Sequence, residues 1–462
     1  MDAHRCTSCA EFSRANLLRT GIARAGSGLP AIEPGMPAPA GSGLSRRSFL
    51  MRGAGLGLTV YGASTLLPQA FEEGIAAAAA AAPDAPVLVS IYFPGGIDGL
   101  SVLAPVDDAN YRRLRPNLAI APTGVPADRF AEDTRLQWHP SARPLRTLHS
   151  EGKVNVMPAI GYAGPEQSHF TSRHFWEVGE IDPRARLGWI GRYLDLYGAP
   201  DNPLQGLGLS DWLMPALAGA SAPISTLRDP TNYSLHVAET GEPVTSQTFE
   251  AYRATTVSSP DDDAELATAR RATRHVMDLR DELNPLRGVT PQPTVTYPKN
   301  EFSRRLSLLA EMLQRGLPLR CVSIQSAAGY DTHEGQKGVL DQRLALDISS
   351  VYTFQRDIEA RGLADRVLIH VWTEFGRRPY ENGPDGTDHG SGGISFLIGN
   401  QVTGQMIGEY PGLASFDATG NMLSNVDFRS VYCSMLEQWL GVDAEPVIPG
   451  AAGLARPQLI AA

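Results

Sequence analysis

The feature that most constrains this chain is a set of short, almost wholly apolar runs, each stopped by a turn that carries polar side chains. The clearest runs from Val367 to Trp372 and gives way at once to Thr373-Glu374-Phe375-Gly376-Arg377, after which a Gly/Pro/Asn-rich stretch leads to Gly386-Thr387-Asp388-His389-Gly390. Three others behave alike: Pro86–Phe93 meets Pro94-Gly95-Gly96-Ile97-Asp98, Lys153–Ile160 runs on to Ser168-His169-Phe170, and Leu319–Gln325 ends near Tyr330-Asp331-Thr332-His333. β-Branched runs without polar alternation are strands buried on both faces. Helical periods separate them, over Ala142–Ser150, Thr171–Val178, Asn300–Arg315, Val339–Arg361 and finally Asp427–Leu440. Repeated strand, helix, strand order predicts an α/β fold, a three-layer αβα sandwich around a mainly parallel sheet.

A chain of 462 residues with 42% hydrophobic content can bury a large core. Its net charge of −10 argues against a broad nucleic-acid or anionic-membrane surface. Residues 1–83 read as a leader: an Ala/Gly/Pro/Ser-rich start, then Ser45-Arg46-Arg47-Ser48-Phe49-Leu50, then a weakly hydrophobic Gly/Ala/Leu segment. A twin arginine before a modest apolar stretch predicts export by the twin-arginine translocation machinery, to the periplasm or beyond the cell. The stretch is shorter than the roughly 20 residues a membrane span needs. The remaining domain, 84–462, loosens over about 204–298, which reads as an inserted cap. Cys6 and Cys9 lie in the leader, whereas Cys321 and Cys433 fall in strand and helix patterns and read as small buried hydrophobes, with a disulfide between them left open.

The strand ends supply the chemistry. Asp98 follows a glycine turn and is either a ligand or a carboxylate capping its own turn. Ser168 precedes a helix, where it is either an N-cap or a nucleophile favoured by the helix dipole. Asp331 and His333, two apart in a loop, can turn toward one ion, and Glu374 and His389 add a carboxylate and an imidazole. Carboxylates and imidazoles with one hydroxyl are the set expected around zinc, manganese or a similar divalent ion. His169, Arg173 and Arg377 are candidates for contacting an anionic substrate.

Gly-Gly-Ile-Asp98-Gly-Leu, Ser168-His-Phe, Tyr-Asp331-Thr-His333, Thr-Glu374-Phe-Gly-Arg377, Gly-Thr-Asp388-His389-Gly and Val426-Asp427-Phe428-Arg429 together resemble the exported family called domain of unknown function 1501, over about Pro86 to Gly441. That family is in turn similar, more distantly, to the alkaline phosphatase, sulfatase and phosphomutase superfamily. The resemblance implies an alkaline phosphatase-like fold and a hydrolase of phosphate or sulfate esters with one or two metal ions. Ser168 would be the nucleophile, and Asp331, His333 and His389 would form one metal site. Asp98 and Glu374 would belong to the other, with His169 able to add a nitrogen. Phe375 stands where the superfamily has an imidazole, and the Asp331/His333 spacing is short. Together the departures count against a two-metal site, and Phe375 motivates the alternative: a non-catalytic periplasmic or surface binding protein on the same fold.

Overall fold

A computed structural model of the chain describes residues 85–232, 242–257, 259 and 262–461. The expected leader, with Cys6, Cys9 and the twin arginine, lies outside the described residues.

Eight strands form the central sheet: β1 (Val87–Tyr92), β2 (Val154–Gly161), β3 (Gly206–Gly208), β4 (Ile224–Thr226), β5 (Cys321–Gln325), β6 (Val367–Trp372), β7 (Gly393–Ile398) and β8 (Val426–Asp427). Their order across the sheet is β8-β2-β7-β6-β1-β5-β3-β4. Only β7 runs against its neighbours, β2 and β6; the other pairings are parallel. The four apolar runs of the sequence are therefore β1, β2, β5 and β6, and their carboxyl ends lie along one edge of the sheet.

Helices cover both faces, so β1, β2, β6 and β7 are buried at every residue instead of alternating. On one side α1 (Arg143–Ser150), α5 (Glu301–Gln314) and α6 (Gln336–Ala360) bury Leu145, Leu148, Leu306, Leu309, Leu344 and Ile348 against Val89, Ile91, Val322 and Ile369. On the other, α2 (His169–Val178), α3 (Trp189–Tyr197) and α7 (Phe428–Ser434) pack Phe175, Trp176, Trp189, Tyr193, Val431 and Tyr432 against Leu88, Tyr92, Leu368 and Trp372. That is the three-layer αβα sandwich.

The segment read as a cap divides. Its first part supplies β3 and β4 to the sheet edge, and its later part forms helices Glu242–Thr255 and α4 (Ala264–Leu283). Short strands such as Gly206–Gly208 leave too few residues for a periodicity to be read. Cys321 and Cys433 are buried free thiols in one apolar cluster. Among the described residues no helix is long and apolar enough to cross a membrane.

Candidate metal centre

The turn after β1 passes so close to the loop after β5 that only glycine fits. Gly95 has φ +104°, and a Cβ there would stand 2.4 Å from the backbone nitrogen of Asp331. Tyr330 N donates to Pro94 O at 2.6 Å, which fixes Asp331 at the end of β1. Beyond β6 the chain folds into a ribbon, Gly376–Arg377 pairing antiparallel with His389–Gly390, and this returns His389 to the same edge. The Arg377 guanidinium ties these pieces together. It donates to the carbonyls of Gly95, Gly96, Tyr330 and Thr387 and, at 2.7 Å, to the Asp331 carboxylate.

Three histidines then converge on Asp331. His169 Nε2 lies 3.4 Å from Asp331 Oδ2, while His333 Nε2 and His389 Nε2 each lie 3.1 Å from Oδ1. The last two nitrogens are 3.0 Å apart. One ligand atom from each of His169, Asp331 and His389 falls within 4.8 Å of the others.

Each ring is held by its far nitrogen. His389 Nδ1 donates to the Gln167 carbonyl at 2.6 Å, His169 Nδ1 meets Glu374 Oε1 at 2.7 Å, and His333 Nδ1 meets Asp388 Oδ1 at 3.0 Å. A carboxylate or carbonyl on Nδ1 fixes the tautomer that leaves Nε2 as a lone pair, the arrangement that metal-binding histidines require. Burial pushes the His389 pKa down to about 4, so its ring is neutral at ordinary pH. Its Nε2 lone pair therefore faces a carboxylate oxygen at 3.1 Å, a repulsive contact unless positive charge lies between them.

For His169, burial alone would lower the pKa, but Asp331 and Glu374 reverse the sign and raise it. Asp331 is held far below the usual carboxylate range: burial opposes this, and His169, His333, His389 and Arg377 outweigh it. Three imidazoles and a permanently ionised carboxylate fit a borderline divalent cation such as zinc or manganese.

The other expected residues are placed differently. Asp98 is not brought to this cluster. Both its oxygens are taken by Arg115, at 2.5 and 2.9 Å, and Ser101 and Gln336 each donate at 2.6 Å. Glu374 is fully buried and does not face the Nε2 atoms: it accepts from Gly95 N at 2.9 Å, Gly96 N at 3.2 Å and Thr373 Oγ1 at 3.1 Å, and its remaining reach is to His169. It thus orients a ligand in place of being one. Arg377 spends its donors on carbonyls and Asp331, so it does not present an open fork to a substrate. Arg173 is buried one helical turn beyond His169, over the Tyr92 ring. Ser168 is half-buried at the start of α2, in sequence between Gln167, which holds His389, and His169. Phe375 packs its ring 4.8 Å from that of His169 and 4.5 Å from that of His389, and so walls the cluster with carbon.

The sequence profile of the family described as Protein of unknown function (DUF1501) matches residues 217–457, just over half of the chain. The chain belongs to that family. Among curated proteins none matches it. Solved structures to which it is similar include a protein in the alkaline phosphatase superfamily from Vibrio parahaemolyticus, at 9% identity and a TM-score of 0.38, with 95% of this chain and 78% of that one covered. PsFucS1 sulfatase from Pseudoalteromonas sp. matches at 12% identity and 0.32, covering 81% and 72%. The C-terminal periplasmic domain of EcEptC from Escherichia coli matches at 8% and 0.34, covering 79% and 87%. Likeness at this level carries no information on substrate, metal or residue roles.

In this DUF1501 chain, sequence reasoning missed Arg115, Gln336 and Asp388 as partners, and offered His169 both as a substrate contact and as a nitrogen for the second metal site. Asp388 had a signal, since it adjoins His389 after a strand end. Arg115 had none: one arginine among several in Tyr111-Arg112-Arg113-Leu114-Arg115 is singled out only by packing.

Proposed function

We propose that this protein is an exported, metal-dependent hydrolase of phosphate or sulfate esters. The convergence of three Nε2 atoms on Asp331 carries the proposal, because the neutral His389 turns its Nε2 lone pair on the carboxylate, a contact that calls for positive charge between them. Asp331, His169 and His389, with His333 beside them, would hold one divalent ion. Such an ion supplies fixed positive charge against the negative charge that develops on ester oxygens. Asp98 is neutralised by Arg115 and Glu374 is consumed by amides and His169, so the remaining carboxylate chemistry supports a single ion.

Within this reading Ser168 Oγ is the nucleophile. The chain's own contribution is to keep it at the amino end of α2, where the helix dipole favours an oxyanion, and to hold the two flanking contacts of the cluster, Gln167 O and His169, in register. Glu374 and Asp388 keep the imidazole protons on Nδ1. Phe375 excludes water from one side. Synthesis before twin-arginine export would let the fold and its ion form together, with the translocation machinery as partner.

The test combines metal analysis of the purified mature protein with a panel of phosphate and sulfate esters, for wild type, Ser168→Ala and His389→Ala. One ion per chain and turnover lost in both variants is the expected result. Absence of bound metal, or turnover unchanged in Ser168→Ala, refutes it. A metal-anchored binding protein without turnover is the second reading, favoured by Phe375 against the cluster and by the closed fork of Arg377. It predicts the same ion with no ester cleaved.

A further inference from the structure

The segments that carry the cluster are tied to one another by a side-chain amide. Gln336 opens α6, where its backbone N donates to Asp385 O at 2.8 Å, and its side chain is buried. Gln336 Nε2 donates to Asp98 Oδ2 at 2.6 Å, while Gln336 Oε1 accepts from Thr332 Oγ1 at 2.9 Å and from Thr387 Oγ1 at 2.6 Å. Both threonines are buried, and Thr387 N donates to Thr332 O at 3.0 Å. Thr332 stands between Asp331 and His333, and Thr387 directly precedes Asp388 and His389. Arg115, the ion-pair partner of Asp98, also donates to Arg378 O and Pro379 O at 2.9 Å each, where the chain leaves the ribbon strand Gly376–Arg377. One limb of the ribbon is thus held by Arg115 and the returning limb by Gln336.

The protons in this network have one consistent arrangement. Asp98, ionised beside Arg115, can only accept, so the NH2 end of Gln336 faces it and the carbonyl end faces the threonines. An amide oxygen has two lone pairs, and the two hydroxyls fill both. Tyr330 O, the other acceptor near Thr332 Oγ1, is farther away at 3.3 Å. Glutamate at this position would set a second carboxylate against Asp98, methionine would neither donate nor accept, and asparagine would be one methylene short. The amide fixes the separation of two segments whose ligand atoms do not hold themselves together: the His389 Nε2 lone pair faces the Asp331 carboxylate at 3.1 Å, a contact that repels until a cation arrives. A site that stays assembled before its ion binds needs support from outside the ligand set. We propose that Gln336 is a positioning residue of the metal centre, clipping the Asp331–His333 segment to the Asp388–His389 segment at ligating distance and anchoring both to the Asp98–Arg115 pair. The proposal rests on the reading of that centre as a divalent-ion site.

Zinc and manganese affinities of the mature protein, read by competition with a chelator, test this together with urea unfolding. Gln336→Met, which keeps the length of the side chain, should weaken metal binding by about tenfold or more. Thr332→Val and Thr387→Val should each weaken it by about fivefold, and Thr332→Ser and Thr387→Ser, which keep the hydroxyl, should stay within about twofold of wild type. Because the threonines act through one amide oxygen, adding either valine to Gln336→Met should cost less than about twofold more. Ser350→Ala is the control: it removes a buried hydrogen bond to Ser303, 2.7 Å long and on the same helix, and should lower the urea midpoint with metal affinity unchanged. If Gln336→Met fails to fold, the threonine variants carry the test, and metal binding unchanged in both valine variants overturns the proposal. A Gln336→Met protein with a lowered urea midpoint and wild-type metal affinity overturns it too, as does full additivity in the double variants. Wild-type protein that takes up neither zinc nor manganese removes the metal reading and this proposal with it, whereas metal held equally by wild type and Gln336→Met removes the proposal alone.

Discussion

Replacing Glu374 by glutamine should cost this protein its metal while leaving the fold standing. The carboxylate has two acceptor oxygens, and an amide keeps only one. If the amide oxygen takes the place of Oε1, the NH2 group points at the Gly96 amide, 3.2 Å from Oε2, and two donors face each other. If it takes the place of Oε2, the amide satisfies Gly95 and Gly96, and its NH2 faces His169 Nδ1 across the 2.7 Å contact. Backbone N–H groups cannot change from donor to acceptor, but an imidazole can, by moving its proton to Nε2. The second arrangement keeps one oxygen on both glycine amides and takes the acceptor from His169 Nδ1, so the Nδ1 proton moves to Nε2, the nitrogen turned toward Asp331. Loss of such an orienting partner costs about 10–100-fold in metal affinity, or roughly 1.4–2.8 kcal/mol. Fold stability should fall by about 1–3 kcal/mol, the range for a buried group left short of a partner. A competitive chelator titration gives the first quantity, urea unfolding the second, and long-range nitrogen–proton NMR of the imidazole reports the tautomer. A folded Glu374→Gln protein that binds metal within about twofold of wild type, with His169 still protonated on Nδ1, refutes the reasoning.

Asp98→Asn should destabilise by about 3–5 kcal/mol, because it strands the buried Arg115 cation. Burial would raise the Asp98 pKa, but Arg115, Ser101 and Gln336 hold it below the ordinary value; its contribution is therefore present above about pH 4 and fades as pH falls through the folded value. Urea midpoints followed from neutral pH into acid should fall more steeply for wild type than for Asp98→Asn, and parallel curves would contradict this. Gly95→Ala should cost more than about 1 kcal/mol, since its positive φ and the Asp331 backbone 2.4 Å from the added carbon both resist it; thermal unfolding measures the loss. Stripping the ion with a chelator should lower the melting temperature, by the equivalent of about 2.7 kcal/mol at a free metal concentration a hundred times Kd, and restoring zinc or manganese should reverse it. An unchanged melting temperature would remove the metal from the account.

The alternation of buried strands and helices was legible in the sequence because it is local. Val87–Tyr92, Val154–Gly161, Cys321–Gln325 and Val367–Trp372 carry their two-sided burial in their own composition, and the glycine-rich turns after them mark where side chains gather. Family membership was legible for the same reason, since ordered short motifs survive without knowledge of their partners. Choice among partners was not legible. Asp98 and Glu374 look like Asp331 in sequence, each a carboxylate after an apolar run. Arg115 captures the first from 17 positions away, and Gly95 and Gly96 capture the second across more than 270. His169 reads in sequence as a ligand and as a substrate contact alike, and Glu374, 205 residues distant, decides between them by turning its Nε2 toward Asp331. Sequence period sets which residues form a strand and where it stops. Which of several equivalent charges is neutralised, and which is left facing three imidazoles, depends on distances of a few ångströms between segments that only the packed sheet brings together.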